Sequence, residues 1–304
     1  MQNLAPIALF VYNRPDHTRR TLKFLKENIL ADESRLFIFS DAAANPAEEE
    51  KVREVRELIK NTEGFKTVEI LERKTNLGLA NSIISGVSKL VQEYGKVIVL
   101  EDDLITSPYT LQYFNDALIK YERDEKVMHI GAYMYPLNTD KQNNLPETFF
   151  YRAATSWGWA TWHRAWNNFE PDIEALSAQF DSKKIHEFSI ENNMNFWKQM
   201  KDFKSGKNNS WAIRWYASIF LKGGLTLNPS QSLVNNIGHD GSGVHSGLND
   251  IYNVVVNHKP VSYFPELIEE HPDAYLAIKH FLKNRKGSLL QRLVRYIKQK
   301  LNRN

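Results

Sequence analysis

Short apolar runs alternate with amphipathic stretches through the first third of the chain. Residues 5–11 (Ala-Pro-Ile-Ala-Leu-Phe-Val) read as a first strand, and Asp16 to Asn28 follows with Leu22, Leu25 and Ile29 at helical spacing. Leu36-Phe37-Ile38-Phe39 predicts a second strand ending at Ser40-Asp41, residues 46–61 a charged helix, and Thr67 to Leu71 a third strand. A helix from Asn76-Leu77-Gly78 to Leu90 precedes the run Val97-Ile98-Val99-Leu100. Ser107-Pro108 is then expected to open another helix, with proline in its first turn. Runs this short and this rich in β-branched residues suit strands buried on both faces. The alternation predicts an α/β class with a doubly wound, mainly parallel central sheet.

Each predicted strand-to-helix junction carries polar residues: Asn13-Arg14, Asp41, Arg73 to Asn76, and Glu101-Asp102-Asp103. Ligands of open α/β sheets bind beyond the carboxyl ends of the strands, so these clusters, with the adjoining Tyr12, Gly78 and Asn81, are the candidate contacts to a nucleoside diphosphate group. Three consecutive carboxylates repel one another. A solvated acidic turn is the bland account of them. At the end of a buried strand a hard cation, Mg²⁺ or Mn²⁺, explains them better, bridging them to phosphate oxygens. No Gly-x-Gly-x-x-Gly follows the first strand and no Walker lysine loop exists, so a diphosphate would have to be neutralised in some such way.

The second half differs in character. All seven tryptophans fall between Trp157 and Trp215, four of them within Trp157 to Trp166. Four rings in ten residues do not fit one face of an element, so at least one is expected to line a cleft where sugar C–H surfaces stack. Gly223 to Pro229 reads as a turn and a short strand. Asn235 to Gly247 is a glycine-rich loop carrying His239 and His245, either of which would serve an acidic metal site as an imidazole ligand; two exposed loop histidines are the plain alternative.

The chain has 304 residues and a net charge of +3, unevenly distributed. From Lys279 onward there are nine Lys/Arg and no Asp/Glu, which leaves 30 basic against 36 acidic residues before it, a net −6. An acidic body argues against a nucleic-acid partner. Leu289, Leu290, Leu293, Val294 and Ile297 recur at helical spacing among Arg292, Arg295, Lys298 and Lys300, the pattern of an interfacial helix drawn to anionic lipid. No apolar run approaches the ~20 residues of a membrane span. Without cysteines, disulfides and thiolate chemistry are excluded. With no secretory-leader pattern at the N-terminus, a cytoplasmic location is expected, peripheral to the membrane if the tail binds it.

The ordered set of motifs resembles the GT-A glycosyltransferases, which use nucleotide-sugars on a Rossmann-like donor half. The match covers roughly residues 5–250: Val11-Tyr12-Asn13-Arg14-Pro15-Asp16, Asn76-Leu77-Gly78, and Glu101-Asp102-Asp103 in place of the usual Asp-x-Asp. Glu101-Asp102-Asp103-Leu104 with Pro108 and Tyr113-Phe114, then Gly158-Trp159, Trp166 and Glu170-Pro171, is similar to N-acetylglucosaminyltransferase I. Bacterial family 2-like sugar transferases carry similar Ser-Trp-Gly-Trp and Asn-Ile-Gly stretches. The resemblance implies a nucleotide-sugar donor half over 1–135 and an acceptor and catalytic half of the same domain over 136–270; the charge and apolar pattern beyond it sets off a basic amphipathic tail over 271–304. It implies that Asp103 binds the metal, that Asp102 (with Glu101 beside it) contacts ribose or metal-bound water, that Asp41 reads a uracil edge, and that Arg14 holds the nucleotide. Thymine offers Asp41 the same donor.

Related enzymes place a general-base aspartate just after the tryptophan that aligns with Trp211, where this chain has Ala212-Ile213-Arg214. Asp240 is therefore the first candidate base and Glu170 the second. Trp157, Trp159, Trp211 and Arg214 are the candidate acceptor contacts. The expectation is a metal-dependent, inverting hexosyl- or N-acetylhexosaminyltransferase, with a UDP-sugar favoured and a saccharide or lipid-linked acceptor. A non-catalytic nucleotide-sugar or saccharide binder is the alternative that the missing aspartate suggests. A two-metal phosphatase or nuclease would need a second acidic cluster at a strand end, and none is present.

Overall fold

The computed structural model describes residues 4–137, 142, 144–239 and 250–285. Strand β1 (Ile7–Val11), helix α1 (Pro15–Lys26), β2 (Arg35–Ser40), α2 (Glu49–Lys60), β3 (Thr67–Glu72), α3 (Gly78–Tyr94) and β4 (Lys96–Glu101) follow the expected order. All of β1 is buried, as is Val97 to Leu100 of β4, which is why both read as unbroken apolar runs. α3 stops at Gly95, whose φ of +78° is left-handed, and the chain enters β4 at the next residue. One expectation fails locally. Pro108 does not open a helix: α4 is Thr110–Lys120, and Ser107 instead bonds the start of that helix through its carbonyl oxygen.

After β5 (Leu104–Thr106) come β6 (Val127–Gly131), β7 (Thr148–Tyr151), β8 (Trp159–Trp162), β9 (Leu225–Pro229) and β10 (Val234–Asn236). The central sheet has eight strands in the order β3-β2-β1-β4-β8-β6-β9-β7. β3, β2, β1 and β4 are parallel; β8 runs against both β4 and β6; β6 and β9 are parallel; β7 runs against β9. The fold is thus Rossmann-like, with six strands in one direction and two opposed. One sheet runs through both halves of the chain.

A second core lies where helices of the latter half cover the sheet's β7 end. The helix Pro272–Asn284 belongs to it, burying Ala274, Ala277, Ile278 and Leu282. Lys279, the first of the nine terminal cations, pairs with Glu191 there. The segment from 271 therefore begins as part of the folded body. The apolar repeat from Leu289 to Ile297 lies outside the described residues. Among those residues no helix is long and apolar enough to cross a membrane.

Candidate functional site

The strand order changes direction at β1. The chain passes from β1 to β2 and β3 on one side, then returns to place β4 on the other. Such a reversal opens a crevice beyond the carboxyl ends of the two flanking strands. Tyr12-Asn13-Arg14 leaves β1 at that point and Asp102-Asp103 leaves β4. Phe10 and Glu101 are register partners, so the two polar stretches start side by side.

Arg14 joins them. Its Nη2 forms an ion pair with Asp102 and lies 3.0 Å from Asp103 Oδ2. The Tyr12 N–H donates to Asp102 Oδ2 at 3.4 Å. Behind the acids, the Thr21 hydroxyl of α1 donates to the Asp102 carbonyl oxygen (2.8 Å) and accepts from the Leu104 N–H (3.2 Å), which fixes the turn. β10 supplies the third wall, pairing antiparallel with β5 so that Asn236 faces Leu104. The Ile237 N–H donates to the Asp103 carbonyl oxygen at 2.8 Å, and Asn236 Nδ2 donates to Asp103 Oδ1 at 3.3 Å. Asn236 Oδ1 accepts from the Gly238 N–H at 2.8 Å, and His17 Nε2 lies 3.3 Å from the Ile237 carbonyl oxygen.

Three carboxylates share one guanidinium at this corner, and their charge is under-neutralised. Burial, with Asp103 and Asp102 adding to it, pushes Glu101 up to about 8 against the pull of Arg14. Burial also pushes Asp102 up to about 6, although Arg14 opposes it. Burial works against the charged guanidinium of Arg14, but Asp102 and Asp103 outweigh it and raise its pKa. A corner of this kind favours a bound proton or a further cation.

The second part of the crevice is built around Asp41. Its carboxylate accepts from the N–H groups of Ala42 (2.9 Å), Leu77 (2.9 and 3.2 Å) and Gly78 (2.9 Å), so it caps the start of α3 from across the crevice. Asn76 ties in through Nδ2 to the Ala42 carbonyl oxygen at 2.6 Å, while Asn81 turns back to Leu77. Arg73 donates to the Ser85 hydroxyl at 3.2 Å and lies over the Phe39 ring. The hydroxyl of Tyr12 and the amide of Asn13 both donate to the Glu48 carboxylate, and the Ala44 N–H donates to the Tyr12 oxygen. Burial, then the bond to Glu48, pushes the Tyr12 hydroxyl up to about 12. The sequence gives no sign of Glu48: it is one of three consecutive glutamates leading into a charged helix.

The second half contributes less than the sequence suggested. Trp159 and Trp211 are 0% and 4% exposed and stack on each other with centroids 5.1 Å apart. They are core residues, not cleft residues. β8 is an interior strand covered on both faces, so neighbouring tryptophans find separate cores: Trp162 points to α4, donating to the Leu118 carbonyl oxygen at 3.0 Å. Arg214 is also interior, bonded to the Ser210 and Pro171 carbonyl oxygens and held over Phe203. Glu170 is anchored by its N–H to Ser218, near the end of the helix Trp211–Leu221 that leads to the start of β9. The Glu170 carboxylate itself accepts from the Asp172 N–H at 2.8 Å, a local bond that ties it to its own turn. Trp157 alone of the proposed acceptor contacts reaches the acid side, edge-on to His239 at 5.0 Å. Asp240 and His245 lie outside the described residues.

No family model matches the sequence, and no curated protein matches it. Solved structures share part of its arrangement. A mannosyltransferase from Pyrobaculum calidifontis, PcManGT, in complex with GDP-Man and Mn²⁺, gives a TM-score of 0.39 at 11% identity, over 72% of this chain and 69% of that one. S. aureus TarS gives 0.30 at 15% identity over 41% of this chain and 21% of its own; its 1–349 fragment gives 0.31 at 14% identity over 42% and 35%. Likenesses this partial leave function to the groups in the crevice.

Among the described residues no three His, Asp or Glu side chains converge as a ready-made metal cage. A divalent ion that takes most of its ligands from phosphate and water needs only one or two side chains. Two observations suit such an ion. Gly238 brings bare backbone against the Asp103 carboxylate, where a Cβ would clash with Oδ2. His239, the next residue, has a buried Nε2 with no hydrogen-bond partner.

Proposed function

We propose that this chain transfers a sugar from a nucleotide-diphosphate sugar to a hydroxyl of a saccharide or lipid-linked acceptor, with inversion at the anomeric carbon. The observation that carries the reading is the acid corner: Arg14, Asp102 and Asp103 meet at the topological switch point of a sheet that lacks both glycine phosphate cradles. A divalent ion would be held by Asp103, with the unpartnered His239 Nε2 as its second holder. Bound there, Mn²⁺ or Mg²⁺ offsets charge on the departing diphosphate.

The chain's own groups do the rest. Arg14 reaches the diphosphate from the end of β1, and Asp102 and Glu101 face the ribose side. The rim of Tyr12, Asn13, Glu48, Asn76 and the Ala42 to Asn45 turn encloses the nucleoside. Asp41 contributes by fixing the 76–78 backbone; the imide N–H of uracil, which would favour a UDP-sugar, has to share its carboxylate with those N–H donors. Trp157, beside His239, offers a ring face to the acceptor. Asp240 remains the base: it takes the proton of the acceptor hydroxyl as that oxygen attacks the anomeric carbon opposite the leaving diphosphate. Acceptors on lipid carriers agree with the basic, apolar repeat from Leu289 to Ile297, whose pattern suits anionic lipid.

Thermal unfolding in the presence of UDP-, GDP- and dTDP-sugars, each with and without Mn²⁺, tests the donor site. Stabilisation by one nucleotide class that grows with Mn²⁺ is expected, followed by slow hydrolysis of that donor. No stabilisation by any of them rejects the reading. The helix Trp211–Leu221 begins with no carboxylate, which favours the second reading, a binder that holds the donor without turnover. Tight binding with no hydrolysis or transfer over days supports that reading.

A further inference from the structure

Every oxygen of the Asp102 and Asp103 carboxylates already has a partner. Asp102 Oδ1 is paired with Arg14 and Oδ2 with the Tyr12 N–H; Asp103 Oδ1 is paired with Asn236 and Oδ2 with Arg14. Each of these oxygens keeps a second lone pair, but a cation ligating Asp103 must share the carboxylate and its negative charge with the partners already there. The Tyr12 N–H is backbone at the end of β1, and Asn236 is locked in β10 by its second bond to Gly238. Arg14 alone reaches the acids on a long, rotatable stem. Its guanidinium is also hemmed in from the far side, since a Cβ on Gly238 would lie 2.9 Å from Nη1. Arg14 therefore stands in the corner as its resident cation.

That arrangement conflicts with donor binding. One positive charge against three carboxylates leaves the corner no net attraction for a diphosphate. A guanidinium bonded to two aspartates has little left to give phosphate oxygens. We propose that Arg14 is a displaceable counter-cation: a divalent ion and the Arg14 guanidinium compete for Asp103, and the donor's diphosphate resolves the competition by drawing Arg14 onto its own oxygens. Ion and nucleotide then bind cooperatively, each removing an obstacle to the other, and the coupling is reciprocal. The inference rests on the donor-site reading above, since it takes the diphosphate to bind at this corner.

The test is Mn²⁺ binding by the full chain, read from the electron paramagnetic resonance of free Mn²⁺, with and without saturating UDP. Without nucleotide, Arg14→Met binds Mn²⁺ about ten-fold tighter than the wild type, because the competing charge is gone. UDP tightens Mn²⁺ binding by the wild type about five-fold or more, and by the variant distinctly less, since no guanidinium remains to be drawn away. Arg14→Lys, whose ammonium meets one carboxylate at a time, falls between the two and serves if Arg14→Met does not fold. Equal Mn²⁺ affinity in wild type and folded variants overturns the proposal, as does weaker binding by the variants. Tightening by Arg14→Met with no effect of UDP on either protein overturns the diphosphate's part. If UDP and GDP also fail to bind at all, the donor-site reading falls while the competition for Asp103 stands.

Discussion

The Cα of Gly238 lies directly against the Asp103 carboxylate, close enough that any Cβ there would overlap Oδ2 and crowd Arg14 at 2.9 Å. Asp103 has little slack, held between Asn236 and Arg14, so the backbone at 238 or the Arg14 guanidinium must move to make room. Gly238→Ala is therefore expected to cost about 1–3 kcal/mol of stability through overpacking. It should also weaken Mn²⁺ and nucleotide binding together. Urea unfolding with and without UDP and Mn²⁺ measures both. An alanine variant of wild-type stability and affinity would show that the corner is looser than this packing.

Asn236 touches Asp103 without being a candidate ligand itself. Its amide donates to Asp103 Oδ1 while its carbonyl oxygen accepts from Gly238, so one side chain orients both the carboxylate and the backbone facing it. Partners that orient a ligating group are worth about 10–100-fold in metal affinity. Asn236→Ala should weaken donor-dependent Mn²⁺ binding by an amount in that range, and Asp103→Asn by at least as much. Titration calorimetry with UDP present distinguishes this from a role in folding alone, in which case the Mn²⁺ constant would not move.

Asp41 has a role that does not depend on any ligand. It is 5% exposed and accepts the N–H groups of Ala42, Leu77 and Gly78. Asp41→Ala leaves those donors without their acceptor, which is expected to lower stability by about 1–3 kcal/mol in the absence of nucleotide. Chemical denaturation of the ligand-free variant checks this. If the variant is as stable as the wild type and loses only nucleotide affinity, Asp41 serves the base and not α3.

The first four strands and the acid corner were legible because buried parallel strands leave continuous β-branched runs with polar residues at one end. Arg14 and the acids are 88 residues apart in sequence, yet their meeting follows from β1 and β4 being neighbours across the reversal of strand order. The later strands were obscure for physical reasons. β6 is five residues with His129 in the middle, and β8 is four residues, Trp-Ala-Thr-Trp, whose aromatic weight suggested a cleft. Insertion of β8 between β4 and β6 pairs both its edges and leaves its faces under helices, Trp162 against α4 and Trp159 against Trp211, a non-local outcome that no periodicity in four residues records. The anchoring of Glu170 on Ser218 depends in the same way on a contact distant in sequence.

His129 gives the fold a pH dependence of known sign. It is fully buried, accepts from the Trp215 indole N–H at Nδ1 (3.1 Å), stacks on Trp159, and has Nε2 3.1 Å from the Thr155 carbonyl oxygen. With Nδ1 accepting, Nε2 carries the proton and donates to Thr155, so the ring is neutral. Burial pushes its pKa down to about 3, with the Thr155 bond pulling the other way. An unfolded chain takes a proton at this histidine below about 6.5, whereas the native protein does not until near 3. Stability from this group is thus complete above about pH 6.5 and falls between there and pH 3, by up to about 1.4 kcal/mol per unit. Between pH 7 and pH 5 the wild type should lose about 2 kcal/mol more than His129→Asn. Asparagine retains an acceptor for Trp215 but cannot titrate. Urea midpoints at pH 7, 6 and 5 compare the two proteins, and parallel pH slopes would mean that the imidazole takes up its proton in the native state as readily as in the unfolded chain.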